Sequence, residues 1–297
     1  MIQVKNVVKQ FDGYRALDGL NINVPKGAVY GLVGPNGAGK STVIRHIAGI
    51  YRQDEGEILV AGQPVFENPE IKSKIAYIPD DIYYFMSAST VDMMRFYKGI
   101  YPRFDMKRYE ALKDIFKLDE KKPIRKLSKG MQKQSAFWLA ICLRPEILIL
   151  DEPVDGLDPV MRRQIWSILL GDVSENGTTV LVSSHNLREL EDVCDHVGII
   201  HKGKNLLERS LSELQENIAK VQFVTGAEGK EPEGLNVLHD SRSGKVRTLI
   251  VRGSMGEVDA AMERAKPLFY DKLPLSLEEI FIYELGGSDY AVKDILL

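Results

Sequence analysis

The run "AVYGLVGPNGAGKSTVIRHIAGI", residues 28–50, decides the fold. Its first part, "AVYGLVG", is a continuous apolar stretch of strand length that runs straight into a glycine-rich turn. Its last part, "KSTVIRHIAGI", spaces its apolar residues as a helix does and ends near Gly49. Between them "GPNGAGKST", Gly34 to Thr42, matches G-x-x-x-x-G-K-[ST] in the strand, turn and helix setting that the motif requires. Gly34, Gly37 and Gly39, with Asn36 in the same turn, let successive backbone N–H groups curl around phosphate oxygens. Lys40 would reach the β and γ phosphates, and Ser41, next to Thr42, would hold Mg²⁺. The alternative is a glycine turn that only caps a helix.

Working outward, "IQVKNVVKQF" and "LNINV" alternate at period two, which predicts half-buried antiparallel strands. "GEILVAG" and "KIAYIP" are further short strands. From about residue 85 to 145 the spacing turns helical, in "TVDMMRFYKGIY", "DMKRYEALKDIFKL" and a segment starting at Leu127. Strands then return as "EILILDEP" and "TTVLVSSH". Each precedes a stretch of helical spacing, "PVMRRQIWSILLGDV" and "NLRELEDVCDHV", as in parallel α/β folds. Past "VGIIHKGKNLLERSLSEL" the composition shifts, and "GAEGKEPEG" reads as a loop inside a second unit. There "KVQFVT", "LNVLHD" and "KVRTLIVRG" are expected strands, and "MGEVDAAMERA" and "LSLEEIFIYEL" expected helices. The expected architecture is α/β. An N-terminal antiparallel β subdomain and an inserted helical subdomain (about 85–145) flank a phosphate-loop core within residues 1–210, and a small accessory α+β domain occupies 211–297.

Composition narrows the function classes. With 44% hydrophobic and 27% charged residues, the 297-residue chain is composed to bury a core. A formal charge of −3 leaves no basic excess, so no nucleic-acid partner is expected. Cys142 and Cys194 are too few and too far apart for a disulfide framework or ligand pair, which suits a reducing cytoplasm. The longest apolar runs fall short of the ~20 residues of a membrane helix. Any membrane role is therefore expected to come through a partner.

"EILILDEP" supplies a second half to the phosphate site. Asp151 lies at the C-terminal tip of a buried strand, where parallel sheets bind ligands, and would orient Mg²⁺ through water. Glu152 beside it is placed to polarise an attacking water. The alternative is a pair of exposed carboxylates closing a strand before Pro153.

The stretch "LSKGMQKQ", Leu127 to Gln134, lies one helix upstream of that strand. This order resembles the ATP-binding-cassette (ABC) family, whose signature reads Leu-Ser-Gly-Gly-Gln. Leu127, Ser128 and Gly130 match, while Lys129 and Met131 depart from it. Ser128 begins a helix whose free N–H groups can take an anion, and Gly130 removes the Cβ that would block a phosphate. The resemblance extends over most of residues 1–210. "VDGLDP" looks like the family's D-loop, with Asp158 at its defining aspartate, and "SSH" like its switch, with His185 as γ-phosphate sensor. Phe11 in "KQFDGY" is similar to the aromatic that stacks on adenine, with Tyr14 as the alternative. Asp80 stands where the family usually has a glutamine that touches metal and water and links the site to the membrane subunit.

The resemblance implies a bacterial transporter subunit that hydrolyses ATP with Mg²⁺. In that reading Lys40 and the loop amides bind phosphate, Ser41, Asp151 and Asp80 serve the metal, and Glu152 activates water. The signature helix would face the nucleotide of a second cassette, identical or not. Implied partners are separate multi-span membrane subunits, which would hold this cytoplasmic chain at the inner face of the membrane. The single cassette and C-terminal extension look most like exporters of drugs, antibiotics, peptides or lipids. Rival readings are a soluble cassette ATPase acting on ribosomes or DNA, and a regulatory module without turnover. Against the first, the chain lacks paired cassettes and long coiled coils; against the second, it has Glu152.

Overall fold

The computed structural model describes residues 1–226 and 231–285. The chain divides into two compact units, Met1–Glu208 and Arg209–Leu297. In the first, β1 (Ile2–Phe11) and β2 (Tyr14–Val24) form an antiparallel hairpin, with Ile2 opposite Val24 and Phe11 opposite Tyr14. β3 (Val29–Val33) is buried throughout and leads through the glycine turn into α1 (Lys40–Ile47). Next come β4 (Glu55–Val60), β5 (Gln63–Pro64), the single-turn α2 (Pro69–Lys72) and β6 (Ile75–Ile78). Three helices follow: α3 (Thr90–Ile100), α4 (Met106–Phe116) and α5 (Lys129–Cys142). The core resumes with β7 (Ile147–Asp151), α6 (Pro159–Asn176), β8 (Thr179–Ser184), β9 (His196–His201) and β10 (Lys204–Ser210).

Two sheets result, one ordered β2-β1-β4-β5 and the other β10-β9-β3-β8-β7-β6. In the second, β9, β3, β8, β7 and β6 pair in parallel. One apolar core joins them: Ile44 and Ile47 of α1 belong to the same buried cluster as Leu17 and Leu20 of β2, Ile149 of β7 and Leu181 of β8. This explains why the helix after the glycine turn is apolar on more than one side. It lies between two sheets.

The helical block is held by its own aromatic stack. Trp138 of α5 has no exposed surface and stacks on Tyr109, with centroids 4.5 Å apart, and on Phe116 at 5.8 Å. Its indole N–H donates to the Tyr109 carbonyl at 3.0 Å, which removes the cost of burying it. An ion-pair network ties this block to the core. Arg108 makes two bonds to the Asp172 carboxylate of α6, at 2.6 and 2.7 Å, and Arg144 reaches both Asp105 and Asp172.

In the second unit, α7 (Leu211–Asn217) precedes β11 (Ile218–Val224), β12 (Asn236–Ser243), β13 (Val246–Arg252), α8 (Met255–Ala265), β14 (Phe269–Leu273) and α9 (Leu277–Leu285). The strands form one antiparallel sheet in the order β12-β13-β11-β14. Val221 and Phe223 of β11 pack with Val251 of β13 against Val258 and Met262 of α8. The stretch read as a loop, "GAEGKEPEG", lies in part outside the described residues.

Two local readings change. "NLRELEDVCDHV" is not a full helix: a single 3₁₀ turn at Leu187–Glu189 gives way to turns before β9. Its helical spacing survives only as burial of Leu187, Leu190 and Cys194, because Asn186 caps the first turn and Asp195 is bonded to Val29 on β3, ending the connection early. β14 was hidden because its residues are almost all exposed, and pairing with β11 rather than alternation makes it a strand. Both cysteines are free and buried, Cys142 with its thiol pKa pushed up to about 12 and Cys194 raised further, each chiefly by desolvation. Trp138→Ala should cost about 3–5 kcal/mol through the cavity left between Tyr109 and Phe116. Urea unfolding followed by far-UV circular dichroism should show the lowered midpoint, with Trp138→Phe losing less.

Candidate functional site

The site lies where parallel pairing brings strand tips together. Val33 at the end of β3 pairs with Ser184 of β8, and Asp151 at the end of β7 pairs with Ser183. The phosphate loop, the two carboxylates and His185 therefore leave the sheet along one edge.

Gly34 to Gly39 make the turn, and α1 starts at Lys40 with no side chain capping its first-turn amides. Those N–H groups are thus left to a ligand, as at an anion-binding helix N-terminus. Gly39 has φ +110°, and a Cβ there would lie 2.8 Å from the Ala16 carbonyl oxygen, so both backbone and space require glycine. Asn36 and Gly37 are exposed at the loop crest, while Ser41 and Thr42 begin the helix, half-buried.

Lys40 is buried; its ammonium donates to the Gly34 carbonyl at 2.6 Å and lies 3.2 Å from Glu152 Oε1. Asp151 is 1% exposed, and one carboxylate oxygen accepts from Ser183 Oγ at 2.6 Å and from Ser41 Oγ at 3.2 Å. Burial raises its pKa, the two hydroxyl bonds oppose the rise, and the charges of Glu152 and Asp80 add to it. A cation would relieve that burial, and the Ser41 and Asp151 oxygens are the hard donors that Mg²⁺ takes.

Glu152 stands in the left-handed region at φ +46°, a conformation costing a non-glycine residue about 1–2 kcal/mol. Its surroundings hold it on every side. Its N–H donates to Ser183 Oγ at 3.1 Å, its carbonyl accepts from Lys133 at 2.7 Å, and Oε2 meets His185 Nδ1 at 2.9 Å. That bond to Glu152 raises the His185 pKa, against a smaller lowering by burial. Asp155 joins the group: donor atoms of Glu152, Asp155 and His185 lie within 4.8 Å of one another.

The remaining expected residues fall as follows. Phe11 and Tyr14 are both exposed at the tip of the first hairpin, and Phe11 has Tyr51 edge-on at 5.7 Å and Lys9 over its ring. Asp158 caps α6, accepting from the N–H groups of Val160 and Met161 at 3.1 and 3.0 Å. Ser128 caps α5 by accepting from Met131 N–H at 3.3 Å. Asp80 is bonded to Lys133 at 3.2 Å, with its side chain 56% exposed. Gly130 acquires a second explanation, because a Cβ there would lie 2.5 Å from the Gly156 carbonyl oxygen of the same chain.

Sequence reading did not single out Tyr51, Asp155 or Lys133. Only Lys133 left a signal, as the single charged residue in the buried stretch Lys133–Cys142 of α5.

A phosphate loop on β3, carboxylates on the tip of β7 and a histidine after β8 define a P-loop nucleoside triphosphatase. A family model described as ABC transporter matches residues 17–155. The ABC transporter ATP-binding protein YtrB of Bacillus subtilis (strain 168) is 30% identical, with 97% of this chain and 99% of YtrB covered. The bacitracin transport ATP-binding protein BcrA of Bacillus licheniformis is 33% identical over 97% of this chain and 98% of its own. Among solved structures, an ATP-binding subunit of an ABC transporter superposes with a TM-score of 0.67 at 27% identity, covering 72% of this chain and 92% of that one. The chain belongs to the family of ABC transporter ATP-binding proteins. It is an ATPase subunit whose hydrolysis is coupled to transport.

Gly130 sets two effects against each other. Helix propensity favours alanine by ~1 kcal/mol, whereas forcing a methyl group against a fixed backbone oxygen costs ~1–3 kcal/mol. The backbone oxygen should win, so Gly130→Ala should lower the thermal midpoint of the nucleotide-free chain. An unchanged or raised midpoint would leave the glycine to ligand approach alone.

Proposed function

We propose that this subunit powers export of an antibiotic or similar amphiphile through separate membrane subunits, acting as one half of a pair of cassettes that enclose ATP between them. The observation that carries the chemistry is the convergence of Lys40 and His185 on Glu152 and of Ser41 on Asp151, the two carboxylate residues being joined through Ser183. Lys40 and the α1 amides bind the phosphates of ATP. Ser41 and Asp151 would hold Mg²⁺, with Asp80 in the field of the same carboxylate, and the ion would supply charge neutralisation at the phosphates. Glu152, held between Lys40 and His185, accepts the proton of the attacking water. His185 keeps Nε2 for the γ-phosphate, since Nδ1 is engaged by Glu152. Phe11 or Tyr14 stacks on adenine. Ser128, Gly130 and Asp158 complete the site of the second cassette.

No helix among the described residues is long and apolar enough to cross a membrane, so attachment to the membrane is assigned to a partner. A groove of about 640 Å³, lined by Ile78, Pro79, Tyr83, Tyr97, Tyr101 and Ala140, is the surface proposed for it. Tyr83 at its mouth is 91% exposed and Phe85 62%. Apolar groups this open are what a docking segment would cover. Export, and an antibiotic as cargo, is supported by the similarity to BcrA.

Glu152→Gln should keep ATP binding and lose about 10²- to 10⁴-fold in phosphate release, the range of a general base. Wild-type turnover would remove Glu152 from this role. For the composite site, Lys40→Ala and Gly130→Asp subunits, each inactive alone, should regain part of their activity when mixed, because one of the two sites then carries neither lesion. Deletion of the chain should sensitise its source cell to bacitracin, and unaltered susceptibility would exclude that cargo.

A further inference from the structure

We infer that Lys133 is the positioning residue for Glu152, and that Asp80 is the counter-charge that holds Lys133 in place. This inference rests on the proposed role of Glu152 and adds the device that keeps it aimed. An ammonium this far inside a protein requires acceptors. Lys133 is 6% exposed and has two: the Glu152 carbonyl at 2.7 Å and Asp80 Oδ1 at 3.2 Å. One cation thus joins the signature helix α5, the segment after β6 and the peptide that follows β7.

The peptide it holds is the one that most needs holding. A glutamate at φ +46° persists only where its surroundings over-determine it. Ser183 fixes the N–H side of Glu152, and Lys133 fixes the carbonyl side. With the lysine removed, the carbonyl loses its donor and the residue can relax to negative φ, which swings the carboxylate away from Lys40 and His185. Asp80 matters for a separate reason. Its carboxylate is the negative charge that meets the Lys133 ammonium, at 3.2 Å, and without it the buried ammonium keeps only the neutral Glu152 carbonyl as acceptor. Paired with Lys133, its charge is offset. Asp80 and Lys133 therefore make one unit, and the losses from replacing each should not add.

The test is a double-mutant cycle on the full-length chain, reading ATP hydrolysis, nucleotide binding and thermal midpoint, with Glu152→Gln run in parallel. Lys133→Met should lower kcat about 10- to 100-fold while ATP affinity changes about 2-fold or less, the pattern of a lost transition-state alignment. Lys133→Arg, which can still donate to both acceptors, should recover most of that loss. Asp80→Asn should cost about 3- to 10-fold alone and less than about 2-fold in the Lys133→Met background, since coupled residues are not additive. Should Lys133→Met not fold, Lys133→Ala, which also removes the donor and the charge, takes its place with the same expectations for the cycle. Wild-type kcat in the lysine variant, or independent effects of the two changes, overturns the inference while leaving Glu152 as base. Full turnover by Glu152→Gln instead overturns the underlying reading.

Discussion

Asp151 and Ser183 sit opposite each other on neighbouring parallel strands, and Ser183 in turn faces Leu32, one residue before the end of β3. The register of these strands places every group of the site. A parallel ladder with the apolar stretches buried on both faces cannot slip by one residue without turning side chains from one face to the other. The phosphate loop leaves β3 beside the strand that presents Ser183 and His185, and that strand lies beside the one that presents Asp151 and Glu152. The buried helix α1 fixes the loop from the other end, packed between the two sheets.

On this frame these carboxylates are each partnered locally. Lys40 and His185 meet Glu152, Lys133 meets Asp80, and Ser41 and Ser183 meet Asp151. Buried carboxylates without such partners would neutralise by taking up protons. The arrangement also bears on the proposed binding of ATP. On the proposed role of Lys40, the phosphates would compete with Glu152 for its ammonium, so binding would free the carboxylate from that neighbour as it brings in the substrate.

Features that depend on local pattern were legible in the sequence. "GPNGAGKST" between a strand and a helix, "LDEP" at a strand end and Ser128 before a helical run all carry their chemistry in adjacent residues. Features that depend on a distant partner were not. Lys133 looks like one more polar residue until Asp80 and the Glu152 carbonyl are seen beside it. Gly130 invites a ligand explanation because the Gly156 carbonyl, which also excludes a side chain there, lies well ahead in the chain. β14 has no alternation to read, since it is an edge strand defined by hydrogen bonds to β11. The helical spacing of "NLRELEDVCDHV" was real as an apolar face, but the bond from Val29 N–H to Asp195 leaves the connection no length for a helix.

The two native cysteines have a practical consequence. Thiolates are the reactive form, and burial holds both thiols protonated and out of solvent at neutral pH. The folded chain is thus close to silent toward maleimides without any cysteine being removed. A cysteine introduced at the open Tyr83 position would be the site that accepts a fluorophore or spin label, and its signal would report directly on whatever comes to lie in the aromatic groove.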